Sequence, residues 1–145
     1  MNLLKLFSIT VFVSIAMMAN SQANYNLVIF SEDGMPFTAY VNAVPQNQEP
    51  MTNILITDLR SPSAVIKIVF AEPGAPELKK NLYFQEPNTE VTMRIVETKK
   101  GLRLKYFGEV PIAQAPATQA TEIVYTEVPV VITQEVVTDL SLIHI

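Results

Sequence analysis

The chain has 145 residues, of which 49% are hydrophobic, and its net charge at pH 7 is −4. It contains no Cys, which excludes disulfide bonds, thiolate metal ligands and cysteine nucleophiles. Residues 24–110 carry ten acidic and nine basic side chains, so the broad basic field of a nucleic-acid-binding protein is not expected. Residues 111–145 carry four acids and no Lys or Arg, which explains most of the low pI.

The N-terminus has the layout of a cleavable secretory signal. Lys5 supplies a positive start, and residues 6–19 form an uncharged apolar run. A Ser-Gln-Ala sequence then puts small side chains at positions −3 and −1 of a cut between Ala23 and Asn24. A membrane anchor is the alternative, but a span needs about 20 apolar residues and this run has 14. We therefore expect a signal peptide, residues 1–23, and an exported protein in the periplasm, on the outer cell surface or in the medium, with no transmembrane segment left.

Seven short segments between residues 24 and 110 have the pattern of β-strands. Apolar and polar side chains alternate within them, and turn residues separate them roughly every 8–12 residues. No segment has the apolar spacing of an amphipathic helix over three turns. The sequence therefore predicts an all-β domain, a small antiparallel β-sandwich, with a barrel as the alternative. The predicted strands are 25–29, 37–41, 53–59, 64–70, 81–85, 90–97 and 102–107.

The last two predicted strands form a hairpin whose register can be predicted. Side chains alternate faces with a period of two, so the apolar sets of both strands must face the core together. Pairing an odd-numbered set with an even-numbered one requires an even loop, such as Lys100–Gly101 or Thr98–Gly101, and Gly101 suits the positive φ of a tight turn. The two apolar sets are Val91, Met93 and Ile95 on one strand, and Leu102, Leu104 and Tyr106 on the other.

The composition changes at Pro111. Residues 111–121 are rich in Pro, Ala, Gln and Thr and too poor in apolar bulk to build a core, so we expect a disordered linker. Residues 122–139 are β-prone again and are interpreted either as the start of a truncated downstream region or as more linker. Residues 140–145 match one reading frame of a transposon end used in sequencing libraries, so we expect them, including His144, to be an adapter artefact.

Several short motifs occur in an order that resembles one family. They are NLVIFSEDGMPF (26–37), QNQEPMTN (46–53), LRSP (59–62), KIVF (67–70), KNL (80–82) and EVTMRIVETKKG (90–101). Over residues 24–107 the chain resembles the N-terminal β-domain of secreted proteins of Gram-negative bacteria that bear a C-terminal domain of unknown function. It is similar, more loosely, to PEGA-type surface modules. The resemblance implies an immunoglobulin-like or PEGA-like sandwich in an exported protein, and it implies no activity because the family has none established.

Two positions depart from the pattern of that family. The family has Asn-Gly where this chain has Asn42-Ala43, and a residue with a side chain is less stable than glycine at positive φ. The turn is therefore either of another type or slightly strained. Pro45 replaces a polar or basic residue and lacks a backbone donor, which argues against a binding role for the loop that follows.

Two polar stretches resemble sites but are better explained as turns. Glu32 and Asp33 lie next to each other before a glycine, and adjacent residues of a strand point to opposite faces, so a turn is favoured over a cation site. Residues 45–53 carry Asn and Gln side chains that could recognise a glycan or a peptide. The same side chains close loops through hydrogen bonds to the backbone, and we favour this structural use.

Five basic residues cluster on the last predicted hairpin. They are Arg94, Lys99, Lys100, Arg103 and Lys105. If the leucines of this strand face the core, Arg103 and Lys105 face outward. One hypothesis is contact with an anionic envelope polymer or with lipid headgroups. The other, which we favour, is that these charges protect an exposed strand edge from pairing with other chains.

The sequence offers no set of residues for catalysis. With Cys absent and His144 interpreted as an artefact, neither a Ser–His–Asp nor a Cys–His arrangement is expected, and no metal or cofactor site is predicted. We therefore predict a non-catalytic exported or cell-envelope module with a structural or interaction role, whose partner is an envelope polymer or another envelope protein. The alternative is the accessory N-terminal domain of a secreted enzyme whose catalytic region lies downstream.

Overall fold

The computed structural model describes residues 22–116 and 120–126, which form nine β-strands and one short 3-10 helix. The predicted leader up to residue 21 and the predicted artefact at residues 140–145 lie outside the described residues. The strands are β1 (Tyr25–Ser31), β2 (Phe37–Val41), β3 (Val44–Pro45), β4 (Asn53–Leu59), β5 (Ser63–Phe70), β6 (Leu78–Tyr83), β7 (Thr89–Thr98), β8 (Gly101–Pro111) and β9 (Thr121–Val124), and the 3-10 helix spans Ile112–Gln114.

The strands form two sheets that share one core, which confirms the predicted β-sandwich. One sheet has five strands in the order β8-β7-β1-β4-β9, and the other has four in the order β3-β2-β5-β6. The four-stranded sheet is antiparallel. The five-stranded sheet is mixed, because β1 pairs with β7 and β4 pairs with β9 in parallel. The two strands beyond the seven predicted are β3 and β9.

The core consists of alternate side chains from both sheets. Leu27 and Ile29 of β1 enter it from one side, and Ile66 and Ile68 of β5 enter it from the other. Such side chains pack well on a pleated surface. Phe37 of β2 is the largest fully buried side chain. Burial of each large apolar side chain contributes about 1.5–3 kcal/mol, so the alternation is the main source of stability.

The β7–β8 hairpin has an even loop, as its apolar pattern requires. Thr98 pairs with Gly101, so the loop is Lys99–Lys100, and Gly101 adopts a positive φ of 94°. A register shift just before Met93 leaves one extra residue in β8, which forms a bulge. Tyr106 pairs with Met93 as expected but is 55% exposed, because β8 is the outermost strand of its sheet.

The turn between β2 and β3 has a left-handed backbone. Asn42 and Ala43 have φ values of 49° and 68°, and Val41 pairs with Val44 across this two-residue loop. Positive φ at both central residues is the type I′ pattern, in which glycine is preferred. Of the two interpretations of the Asn-Ala turn, the strained turn is therefore the one observed.

Replacement of Ala43 by glycine is expected to raise the free energy of unfolding by about 1 kcal/mol. A left-handed backbone destabilises a residue with a side chain by roughly 1–2 kcal/mol, and glycine avoids this cost. Glycine also has more conformational freedom in the unfolded chain, which cancels part of the gain in stability. Urea denaturation followed by circular dichroism measures the change. Ala71→Gly, in an exposed bend without positive φ, is the matched control and should lower this free energy. Equal effects of the two substitutions would contradict strain at Ala43.

The chain after β8 returns to the opposite edge of the same sheet. β8 ends at Pro111, where the composition changes, and the 3-10 helix follows. β9 then pairs in parallel with β4, with Thr121 beside Ile54. Residues 121–124 are thus a strand of the sandwich, an arrangement that neither interpretation of the C-terminal region included. Among the described residues, no helix is long and apolar enough to cross a membrane.

Candidate functional site

Six basic residues line one open groove between the edges of the two sheets. β8 ends the five-stranded sheet, β6 ends the four-stranded sheet, and these two strands contact each other. The groove between them has a volume of about 940 Å³. We call it the basic groove. Its basic residues are Lys79 and Lys80 of β6, Lys99 and Lys100 of the β7–β8 turn, and Arg103 and Lys105 of β8.

Strand alternation directs the basic side chains of β8 into solvent. Leu104 is buried in the core, and its neighbours Arg103 and Lys105 are exposed on the other face, as the sequence predicts. The tight turn leaves Lys99–Lys100 exposed at the tip of the hairpin. This one edge strand and its turn therefore carry four positive charges.

The free edge of β8 also presents backbone groups to the groove. Pairs in an antiparallel hairpin alternate between hydrogen-bonded and non-hydrogen-bonded, so every second residue of β8 directs its N–H and C=O away from β7. Leu104 is one of these residues, and its carbonyl oxygen accepts a hydrogen bond from Lys80 Nζ at 3.2 Å. This bond connects the two sheet edges and holds one lysine side chain within the groove.

The cations of the groove have no acidic partners in the part of the chain that the structure describes. Among residues 22–116 and 120–126, no carboxylate oxygen lies within 4.0 Å of any of the six, and Glu77 is the one acidic residue that lines the groove. The two ion pairs among the described residues lie elsewhere, at 3.8 Å between Arg60 and Asp58 and at 3.5 Å between Arg94 and Glu32. Like charges around one groove repel each other, and a bound anion would relieve this repulsion.

Arg94, the fifth member of the predicted basic cluster, lies apart from the groove. Its guanidinium lies 5.4 Å from the centre of the Phe107 ring and pairs with Glu32. The structure brings the other four predicted residues together and adds Lys79 and Lys80, which the sequence did not single out. This adjacent basic pair is visible in the sequence, but only the juxtaposition of the two sheet edges places it beside β8.

The polar stretches considered in the sequence have structural roles. Glu32 and Asp33 form an exposed turn, in which the Gly34 N–H donates to the Ser31 carbonyl oxygen at 3.2 Å. In the polar loop, the buried Asn47 side chain hydrogen-bonds to three backbone groups. Within the two described ranges, no group of three or more His, Cys, Asp or Glu side chains could hold a metal ion.

The predicted cleavage site directly precedes the sandwich. Ala23 packs partly against the core, and the backbone N–H of Asn24 donates to Asn88 Oδ1 at 3.1 Å. β1 begins at Tyr25, so a cut between Ala23 and Asn24 would leave a single residue before the first strand. Cleavage itself stays a prediction.

Comparisons with protein families and with curated proteins give no match, so the functional argument depends on the geometry of the groove. No model of a protein family matches the chain, and no curated protein matches it either. The resemblance to the secreted bacterial family and to PEGA-type modules therefore stays a prediction.

Proposed function

We propose that this protein is a non-catalytic module, exported to the cell envelope, that binds an anionic envelope polymer in the basic groove. The observation that carries the proposal is that six basic residues line one groove and that none of them forms an ion pair with another described residue. A polymer with repeated phosphate, sulfate or carboxylate groups presents several charges to such a row at once. The signal-like N-terminus supports delivery of the protein to a compartment that contains such polymers.

Protection of strand edges explains part of this surface but not all of it. Lysine on β8 prevents other strands from pairing with its free edge, and a few charges are enough for that purpose. Lys79 and Lys80 instead line the same groove as a second set of cations, where like charges raise each other's energy. An anion bound between the two sets converts this repulsion into attraction, which favours a binding role.

Binding is tested with dextran sulfate, and uncharged dextran of the same length serves as the control polymer. The full chain is expected to bind dextran sulfate and not dextran. The affinity should fall roughly tenfold or more between about 50 mM and about 300 mM NaCl, because salt screens interactions between exposed charges. Isothermal titration calorimetry measures both quantities. Equal binding of the two polymers, or an affinity insensitive to salt, would contradict the proposal.

Neutralising the turn lysines should weaken this binding. Lys99→Gln with Lys100→Gln removes two positive charges, each of which contributes about 1 kcal/mol near an anionic surface, so the affinity should fall roughly 30-fold. Arg60→Gln with Lys67→Gln removes the same charge at positions that do not line the groove. This matched control should change the affinity by less than about twofold.

Neutralising all four basic residues that the β7–β8 hairpin contributes to the groove should give the largest loss of affinity. Adding Arg103→Gln and Lys105→Gln to the turn variant removes four charges in all, which corresponds to about 4 kcal/mol or a roughly 1,000-fold loss of affinity. All four side chains are exposed, so the melting temperature should stay close to that of the unmodified protein. Undiminished binding by the quadruple variant would discard the proposal.

A further inference from the structure

The residue that the predicted cut would place at the N-terminus is held by two neighbouring segments of the five-stranded sheet. Asn24 directly precedes β1, and β7 and β4 flank that strand. The backbone N–H of Asn24 donates to Asn88 Oδ1 at 3.1 Å, and Asn24 Nδ2 donates to Asp58 Oδ1 at 3.4 Å. Asn88 directly precedes β7, and Asp58 lies near the end of β4. We call Asn24, Asp58 and Asn88 the amino-terminal site.

Both acceptor residues of the amino-terminal site have a left-handed backbone. Asp58 has a φ of 61° and Asn88 has a φ of 57°. Asp58 lies in a bulge, because a register shift between Tyr25 and Leu27 leaves an extra residue in β4. Asp and Asn adopt this conformation more readily than other residues with a side chain, but it is less stable than regular strand geometry. The fold therefore directs two oxygen acceptors toward Asn24, although a regular backbone would be more stable at both positions.

The amino-terminal site has more acceptors than donors. Asn24 Oδ1 is buried and has no hydrogen-bond partner among the described residues. The Asp58 carboxylate lies 3.8 Å from the Arg60 guanidinium, but the two side chains are 40% and 60% exposed, respectively, so this ion pair is weak. As an internal residue, Asn24 offers a single backbone N–H, which Asn88 already accepts. Further N–H groups on the same nitrogen, with a positive charge, would suit the oxygens that remain.

Cleavage before Asn24 would create such a donor. Hydrolysis of the Ala23–Asn24 peptide bond consumes one water molecule and leaves a carboxylate on Ala23 and an amine on Asn24, which is protonated at neutral pH. The resulting ammonium group has three N–H donors in place of one. One donor can keep the hydrogen bond to Asn88 Oδ1, and a second can reach Asn24 Oδ1 through an internal hydrogen bond. The positive charge attracts the Asp58 carboxylate.

We propose that Asp58 and Asn88 form a binding site for the α-ammonium group that cleavage creates at Asn24. This inference rests on the export that the proposed function includes. Its consequence is a domain that becomes more stable once the leader has been removed, because charge-assisted hydrogen bonds are stronger than the neutral bond that they replace. None of the three residues lines the basic groove, so ammonium binding and polymer binding are separate properties of the sandwich.

Asp58→Asn measures the contribution of the charge in two versions of the chain. The processed chain begins at Asn24, and the extended chain begins at Asn20, so that its terminal ammonium lies elsewhere. The substitution should lower the melting temperature, followed by circular dichroism, by about 4 °C more in the processed chain than in the extended chain. This double comparison cancels the loss of Ala23 packing, which affects both forms of residue 58 alike. Asp33→Asn, in the exposed β1–β2 turn, is the matched control and should have equal effects in the two chains.

Asn88→Gly tests the second acceptor in the same two chains. Glycine keeps the positive φ of this position and removes the side-chain amide. The fall in melting temperature should be about twofold larger in the processed chain, because the lost hydrogen bond is charge-assisted there and neutral in the extended chain. Asn42→Gly is the matched control, since Asn42 also has a positive φ and its Oδ1 accepts from the Val65 N–H at 2.9 Å. Its effect should be the same in both chains.

The extra effect of Asp58→Asn in the processed chain should depend on pH as an ammonium group does. A neighbouring carboxylate raises the pKa of the ammonium above its ordinary value. The added stability is therefore complete at about pH 6, is lost as the pH rises through this raised pKa, and should be absent at about pH 10.5. The other titratable groups on the surrounding segments are present in both chains, so their contributions cancel. They are Arg60, Glu86, Glu90 and Tyr125.

Mass spectrometry of the protein exported by a Gram-negative host completes the test. The mass of the mature protein should correspond to a chain that begins at Asn24. Processing at another bond, equal effects of Asp58→Asn in the two chains, or a difference that persists at about pH 10.5 would overturn the proposal. If dextran sulfate fails to bind while the difference between the chains is observed, the proposal for the groove fails and the amino-terminal site stands.

Discussion

Replacement of Phe37 by alanine is expected to lower the free energy of unfolding by about 4 kcal/mol. Its side chain is fully buried in the core between the sheets, and Phe37 pairs with Phe70 on one side and with Met51 on the other. Truncation loses the transfer free energy of the ring and leaves a cavity that the rigid sheets cannot close. If the two sheets share one packed core, this variant should be the least stable of those considered.

Phe107→Ala is the matched control for this substitution. It removes the same atoms from a side chain that is 59% exposed, so the expected loss is about 1 kcal/mol or less. Urea denaturation monitored by circular dichroism gives both values from one assay. Similar losses at the two positions would contradict the assignment of Phe37 to the core.

Replacement of Asn47 by alanine should have the second largest effect, a loss of about 3 kcal/mol in the free energy of unfolding. Asn47 Oδ1 accepts from the Ala39 N–H at 2.9 Å, and Nδ2 donates to the carbonyl oxygens of Phe37 at 2.8 Å and Glu49 at 2.7 Å. The side chain thereby takes the place of a neighbouring strand beside the middle of β2. Without it, the buried Ala39 N–H has no recorded partner.

Gln48→Ala tests whether this loss is specific to the buried amide. Gln48 is exposed in the same loop, so its removal should change the stability by about 0.5 kcal/mol or less. Asn47→Asp should retain the acceptor oxygen but place a buried carboxylate oxygen against the carbonyl oxygens of Phe37 and Glu49, which predicts a loss at least as large as that of Asn47→Ala. Equal stabilities of Asn47→Ala and Gln48→Ala would show that the loop closes without Asn47.

The β-sandwich could be predicted from the sequence because the alternation of apolar and polar side chains is a local property of each strand. Alternation with a period of two identifies a strand and its buried face without knowledge of its partners, and the even β7–β8 loop follows from the same rule. The preference for a structural role of residues 45–53 was also correct for Asn47, although the sequence did not show which of the Asn and Gln side chains would be buried.

The arrangement of the strands depends on contacts between distant segments, which leave no local signal. The parallel pairing of β1 with β7 joins residues more than sixty positions apart and needs no turn between them. For the same reason Lys79 and Lys80 could not be assigned to the groove, since only the sheet order places the β6 edge beside β8.

The burial of Glu90 was equally hidden in the sequence. Glu90 alternates with the buried Val91 of β7, so its position in the pattern is that of a solvent-exposed residue. Glu90 is nevertheless 4% exposed, and its strand is flanked by β1 and β8. A polar residue on the outer face of a strand is thus a site candidate only once the structure shows what covers it.

The most direct test of the basic groove is to locate the bound polymer on the protein. In ¹H–¹⁵N spectra of the labelled full chain titrated with dextran sulfate, the shifted amides should belong to β6, to the Lys99–Lys100 turn and to the free edge of β8. They should return to their original positions at about 300 mM NaCl. Shifts confined to other faces of the sandwich, or none at polymer concentrations that saturate calorimetric binding, would contradict the groove as the binding site.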